Sequence, residues 1–214
     1  MLTNEQIEAN KIEFIELLNS INRSGMYKDQ LIDMLTESDF FTAPASTKYH
    51  CSFDGGLCLH SLNVYKNLME LVKNREGLTP SCYDEDSLKI VALFHDISKI
   101  GCYKKGVKNE KVYFEGGTKR DELGNFEWVS KPMWVTKEDR FIYGSHEATS
   151  EYMTRQYIPL TLEESVAITH HMGSMAWDSA KDNIGEVYNK YSLALMLYIA
   201  DMVSSYVTEK AQNE

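Results

Sequence analysis

The run Ala92-Leu93-Phe94-His95-Asp96-Ile97-Ser98-Lys99 decides how the rest of the chain is read. Leu88, Val91 and Phe94 recur at helical spacing, which predicts a helix from about Asp84 to Ile97 with one buried face. His95 and Asp96 then sit near the end of that helix and project into the interior. Side by side, an imidazole and a carboxylate offer one nitrogen and one or two oxygens from a single rigid element. Such mixed donors suit Mn, Fe, Co, Ni or Zn, and the lack of thiolate argues against a structural cysteine-rich zinc site.

Other chemistry-bearing residues share this habit of sitting inside or beside apolar helices. Upstream, a loop over residues 48–60 with Gly55-Gly56 leads into a helix from about Leu57 to Lys73 that carries His60. Downstream, His146 opens a helix expected from Ser145 to Tyr157. The capping-box run Thr161-Leu162-Glu163-Glu164 starts another that reaches His170 or His171. After a loop through Gly173 and Gly185, a long helix is expected from about Lys190 to Lys210. On it, Asp201 interrupts the apolar face of Leu193, Leu197, Ile199 and Ala200, so its carboxylate must be paired or bound to a metal.

The remaining segments complete an all-α expectation. Thr3 with Gln6 reads as a capping box for a first helix that stops near Gly25. A second helix, with Leu31, Ile32, Met34 and Leu35 inward, ends before Thr42-Ala43-Pro44. Together they form an N-terminal helical arm over residues 1–45. A loop containing Pro80 precedes the helix that starts at Asp84. Lys111–Glu115 and Phe126–Val129 alternate in polarity around the turn Asp121–Asn125, which predicts a small β-hairpin insertion within about residues 103–143. The fold class expected is therefore all-α: one helical-bundle domain over residues 1–214, interrupted by a hairpin.

Charge and composition exclude several classes. A net charge of −10 disfavours bulk nucleic acid, which needs spread positive surface. It does not exclude a small anionic substrate, because a bound divalent cation inverts the local field. Neither a membrane span nor a signal peptide is expected, so a cytoplasmic protein is. Cys51, Cys58, Cys82 and Cys102 show no C-x-x-C pairing and read as free thiols. A zinc site from His50, Cys51, Cys58 and His60 is rejected, since positions 58 and 60 do not face together on a helix.

The order His60, His95-Asp96, His146, His171, Asp201 resembles the HD superfamily of metal-dependent phosphohydrolases. The segment Gly55-Gly56-Leu57-Cys58-Leu59-His60-Ser61-Leu62 is similar to the entry helix (G-G-L-x-x-H-S/T) of HD domains related to bacterial 3′-5′ exoribonucleases. His-Asp-x-x-Lys-Ile, a hairpin insertion, Tyr-Gly-x-His-Glu and His-Met-Gly are more similar still to uncharacterised HD proteins of bacteria and their phages. The match covers roughly residues 48–208. It implies an HD-type helical bundle in which His60, His95, Asp96 and Asp201 hold a principal metal. It further implies that Asp96 bridges to a second ion, and that His146 and His171 complete that ion or grip phosphate. His170 is a possible addition. His50 has two open readings, lining the pocket or capping the loop before Gly55-Gly56.

The chemistry implied is hydrolysis of a phosphomonoester or phosphodiester in a nucleotide-like molecule, with one or two divalent ions. Manganese is the first expectation, with iron, nickel, cobalt, magnesium or zinc also served by the donors. A metal lowers the pKa of water and polarises a phosphoryl oxygen, while Asp96 orients or deprotonates that water. Lys99, matching a lysine that contacts phosphate in the family, would neutralise developing charge. Lys104 and Lys105 open a basic strip, six basic residues between Gly101 and Arg120, that could steer an anionic substrate. Two alternatives are carried: a non-hydrolytic nucleotide-sensing module on the same pocket, and a di-iron oxygenase of the HD type.

Overall fold

Thr3 caps the first helix, α1 (Asn4–Ser20), as its sequence demands. Its hydroxyl accepts from the Gln6 amide at 3.3 Å, and Gln6 Oε1 accepts from the Thr3 amide at 2.8 Å. Together α1 and α2 (Lys28–Glu37) deliver Phe14, Leu18, Leu31 and Leu35 to a core that also holds Phe40, Phe41, Leu57 and Phe94. Phe14 meets Phe40, Phe41 and Phe94 edge to face, at centroid distances of 4.9, 5.8 and 5.9 Å. Phe94 directly precedes His95, so this aromatic cluster anchors the segment that carries the chemistry.

The computed structural model describes residues 1–74, 83–173 and 183–210. Pro80, Cys82 and most of the loop between Gly173 and Gly185 lie outside the described residues. α3 (Gly56–Asn74) starts where only glycine fits: Gly55 has φ +82°, and a Cβ on Gly56 would lie 2.0 Å from the Cys51 carbonyl oxygen. α4 (Glu85–Phe94) follows. After the sheet come α5 (His146–Arg155), α6 (Leu162–Thr169), α7 (Ile184–Lys190) and α8 (Ser192–Val203). Val64 and Leu68 of α3, Val91 of α4, Ile168 of α6, and Leu193 and Leu197 of α8 form a second buried cluster. Among the described residues no helix is long and apolar enough to cross a membrane.

Four expectations are corrected. The chain is mixed α/β, not all-α: helices take 53% of residues and strands 14%, too much strand for a purely helical class. The insertion is a three-stranded antiparallel sheet of order β1-β3-β2, from β1 (Tyr103–Tyr113), β2 (Lys119–Asp121) and β3 (Gly124–Thr136). The two-residue turn Glu122-Leu123 lets β2 pair with β3, while the 13-residue β3 is long enough to pair β1 along its other edge.

The helix expected to reach Ile97 stops at Phe94. Asp96 leaves the helical region with φ −114° and ψ 15°, and a 3₁₀ turn covers Ile97–Lys99. Tertiary bonds hold this turn: the Ser98 amide donates to Ser150 Oγ of α5 at 3.3 Å, and the two hydroxyls meet at 2.9 Å. The helix expected over 190–210 is also divided. Tyr191 (φ −127°, ψ 81°) separates α7 from α8, and a π-helical turn spans Ser204–Thr208, closed by the Glu209 amide on the Ser204 carbonyl at 2.9 Å.

Candidate metal centre and its cleft

His60 lies one turn into α3, His95 caps the end of α4 and Asp96 opens the 3₁₀ turn after it, His146 begins α5, His171 follows α6 and Asp201 lies in α8. Five separate elements thus converge, and their ligating atoms meet around Asp96. Asp96 Oδ2 lies 3.5 Å from both His60 Nε2 and His95 Nε2, and His60 Nε2 is 3.3 Å from Asp201 Oδ1. On its other side, Asp96 Oδ1 lies 3.7 Å from both His146 Nε2 and His171 Nε2. The sets His60/His95/Asp96, His95/His171/Asp201 and Asp96/His146/His171 each bring their ligand atoms within 4.8 Å of one another. Buried His, Asp and Glu groups here could hold a metal ion.

The outer nitrogens show which way the rings face. His95 Nδ1 is 2.8 Å from the Ala92 carbonyl and His171 Nδ1 is 2.7 Å from the Ile168 carbonyl. A carbonyl only accepts, so both rings carry hydrogen on Nδ1 and present the Nε2 lone pair to Asp96. Asp96 Oδ1 and His171 Nε2 are buried without a hydrogen-bond partner among the described residues. Carboxylate oxygen and bare imidazole nitrogen repel one another unless a cation lies between them, and that is the observation which fits a metal.

The electrostatics agree. Burial would raise the Asp96 carboxyl, but Lys99, whose Nζ is 2.6 Å from Oδ2, and the surrounding histidines hold it well below the usual carboxylate range. Burial pushes His95 down to about 3, so it stays neutral. Burial would lower His60 too, yet Glu209 and Asp201 lift it to about 10. A cation held there would have to displace the His60 Nε2 proton.

Glu209 escaped the sequence reading. Its Oε1 accepts from His60 Nδ1 at 2.9 Å and from Asn63 Nδ2 at 3.1 Å. Burial opposes ionisation, but His60 holds the carboxyl at about 2. At the end of an apparently regular helix it reads as a solvated glutamate, and the π turn is what aims it inward. Glu209→Ala is expected to weaken metal binding roughly 10–100-fold while the chain stays folded. Calorimetric titration with manganese checks this, and unchanged affinity removes Glu209 from the centre. Glu147 was visible only as the last residue of Tyr-Gly-x-His-Glu. It is 2% exposed, with Oε2 3.5 Å from His146 Nδ1.

Not every expected residue joins the cluster. His170 hydrogen-bonds the Val166 carbonyl through Nδ1 at 3.0 Å and belongs to none of the ligand sets among the described residues. The His50 ring lies tilted against that of His60, 4.7 Å between centroids, lines the cleft and is pushed down to about 4 by burial. It also forms a set with His60 and Glu209. Lys104 and Lys105 are exposed on β1 and do not line the cleft; Lys105 pairs with Asp54 at 3.0 Å. No cysteine enters a ligand set among the described residues, and Cys58 Sγ instead meets the Asn10 carbonyl at 3.6 Å.

Above the cluster opens a cleft of about 580 Å³. Asp96, Lys99, Tyr103, Arg140, His146 and Asp201 give it a charged and polar floor. Its mouth carries exposed apolar side chains, Tyr49, Phe141, Ile142 and Tyr206. Phe141 is stacked on Tyr152 of α5 at 6.2 Å, and Tyr152 in turn on Tyr143 at 4.3 Å. No protein-family model, curated protein or solved structure matches the chain.

Proposed function

We propose that the chain is a divalent-metal-dependent phosphohydrolase of the HD type, acting on a nucleotide-like phosphomonoester or phosphodiester. One observation carries the reading: both oxygens of Asp96 face pairs of imidazole Nε2 atoms, an arrangement suited to one or two ions bridged by this carboxylate. His60, His95, Asp96 and Asp201 would hold one ion, and Asp96, His146 and His171 another. All-N/O donors suit manganese first, with iron, nickel, cobalt, magnesium or zinc also accommodated. Such a metal supplies a more acidic water and a polarised phosphoryl oxygen.

The chain's own groups do the rest. Lys99 Nζ sits beside Asp96 at the cleft floor, and its ion pair outweighs burial so that it stays charged. It can therefore face phosphate oxygens and neutralise the charge that develops on them. Burial raises the Tyr103 phenol, keeping its O–H available as a donor. The apolar mouth, with its ring platform at Phe141, suits the flat body of a nucleobase, and about 580 Å³ accommodates a nucleotide-sized ligand.

The reading is tested by incubating a pool of nucleotides and of cyclic and linear dinucleotides with manganese and following it by mass spectrometry. Phosphate release from monophosphates supports a nucleotidase, and loss of dinucleotides a phosphodiesterase. Transformation of nothing with any first-row metal sinks both and leaves a binding module; oxygen-dependent turnover points to an oxygenase. Lys99→Gln is expected to lower kcat/KM roughly 10²–10³-fold with metal content unchanged. Metal analysis beside steady-state kinetics separates that outcome from loss of the centre.

A further inference from the structure

One face of the sheet stands apart from the cleft chemistry. The register pairs Tyr103 with Thr136, Lys105 with Trp134, Lys111 with Trp128, and Tyr113 with Phe126, and Lys119 of β2 pairs with Phe126 from the other edge. Directly paired residues share a face, and so do residues two apart on a strand. These side chains form two aromatic–lysine groups on one face, Trp134 with Lys105 near the inner end and Trp128, Phe126 and Tyr113 with Lys111 and Lys119 at the outer end, with the pairs Val107–Pro132 and Asn109–Ser130 between them. Lys111 Nζ lies 4.4 Å from the Phe126 ring centroid and 5.7 Å from that of Trp128, and Lys105 Nζ lies 5.4 Å from Trp134.

The strip is open at its outer tryptophan and tyrosine. Trp128 is 50% exposed and Tyr113 41%, over a buried Phe126, Trp134 is half-buried, and no helix packs closely across the sheet among the described residues. It is also the basic part of an acidic protein. Residues 103–136 carry seven Lys and Arg against five Asp and Glu, whereas the rest of the chain carries 15 against 27. Lys105 and Lys111 pair with Asp54 and Asp121, but exposed pairs of this kind hold little energy and yield to a phosphate. The inner end of the strip, Tyr103 and Thr136, lines the cleft itself. Trp134 is two residues from that edge, about 7 Å along the strand, and Trp128 about 20 Å further.

Protein-binding patches are depleted of lysine at their centre, whereas here each tryptophan has a lysine beside it. Rings for base stacking with cations for the backbone are what a single nucleic-acid strand uses. We propose that this face is a track for a single-stranded oligonucleotide, whose bases stack on Trp134 and Trp128 and whose end enters the cleft. The proposal rests on the phosphohydrolase reading for what happens at that end, not for the binding.

Binding is therefore measured on the full chain in chelator, without turnover. Fluorescein-labelled oligo-dT and oligo-rU of about 12 nucleotides are titrated at about 50 mM salt, then at higher salt, by fluorescence anisotropy. The expected result is saturable binding that weakens steeply with salt. Trp128→Ala should weaken it at least about fivefold, and Lys111→Gln should flatten the salt dependence. Mononucleotide turnover with manganese should stay within about twofold of wild type in Trp128→Ala, because that ring lies outside the cleft. A preference for either sugar supports the track. Failure of both strands to bind the wild type overturns it, as does equal binding by Trp128→Ala. A change of sedimentation mass in Trp128→Ala with strand binding intact also overturns it and assigns the face to a second copy. If the wild type turns over no mononucleotide and no dinucleotide with any first-row metal, the hydrolase reading alone is sunk.

Discussion

Asp96→Ala is expected to lose turnover by at least about 10⁴-fold and to retain less metal than the wild type. This carboxylate is the only group that faces both histidine pairs among the described residues, with distances of 3.5 Å on one side and 3.7 Å on the other. Removing it separates the two sets and leaves Lys99, 2.6 Å away, without its counter-charge. Asp96→Asn keeps the shape, so it distinguishes loss of charge from loss of packing. Cys58→Ser serves as the control, because that thiol touches the Asn10 carbonyl and no ligand. Metal content by mass spectrometry, circular dichroism and the nucleotide assay read the three effects separately. Full activity in Asp96→Ala would falsify the metal-hydrolase reading.

The second large effect lies in the scaffold. Glu164→Ala is expected to destabilise the chain by about 3–5 kcal/mol, measured as a lowered urea midpoint in metal-free protein. Glu164 is fully buried and accepts from Arg23 Nη2 at 2.5 Å, Arg23 Nη1 at 3.1 Å, Ser87 Oγ at 2.6 Å and the Thr161 amide at 2.7 Å. One carboxylate thereby completes the capping box of α6 and ties α6 to the segment after α1 and to α4. Without it, the largely buried Arg23 loses its close carboxylate and keeps only the Pro159 carbonyl at 3.2 Å, Ser87 Oγ at 3.5 Å and the exposed Asp84 at 3.5 Å.

The same group sets a pH dependence. Burial would raise the Glu164 carboxyl, but the bonds from Arg23 and Ser87 bring it below its ordinary 4.5. A depressed carboxyl stabilises the fold above its unfolded value, and that stability is lost as pH falls through the folded value. The gap in stability between wild type and Glu164→Gln should therefore be full near pH 7 and close below about pH 4.5. A gap that is constant with pH would show that the ionised pair is not its source.

Much of the candidate centre was legible because burial makes polar residues conspicuous. His60, His95, Asp96 and Asp201 each interrupt an apolar helical face, and a carboxylate or imidazole there must have a partner. Glu209 and Lys104 show the opposite case. A glutamate near a helix end and lysines on a strand look alike in sequence whether they face water or a site. The π turn brought Glu209 inward, and the pairing of β1 with β3 left Lys104 and Lys105 outside the cleft. Tyr103, Arg140, Phe141 and Tyr206 come from segments that meet only at the cleft, so no local pattern singles them out.

By itself the sequence determined the helical periods, the capping boxes at Thr3 and Thr161, the glycine pair before α3 and the polar residues on apolar faces. These are local consequences of side-chain size, charge and backbone freedom within a few residues. Only the tertiary structure decided where α4 ends, because bonds from α5 hold the 3₁₀ turn after Asp96. It also decided that a third strand joins the sheet and that Asp96 faces nitrogens on both sides. Those outcomes depend on contacts between residues far apart in the chain, whose relative energies no local pattern records.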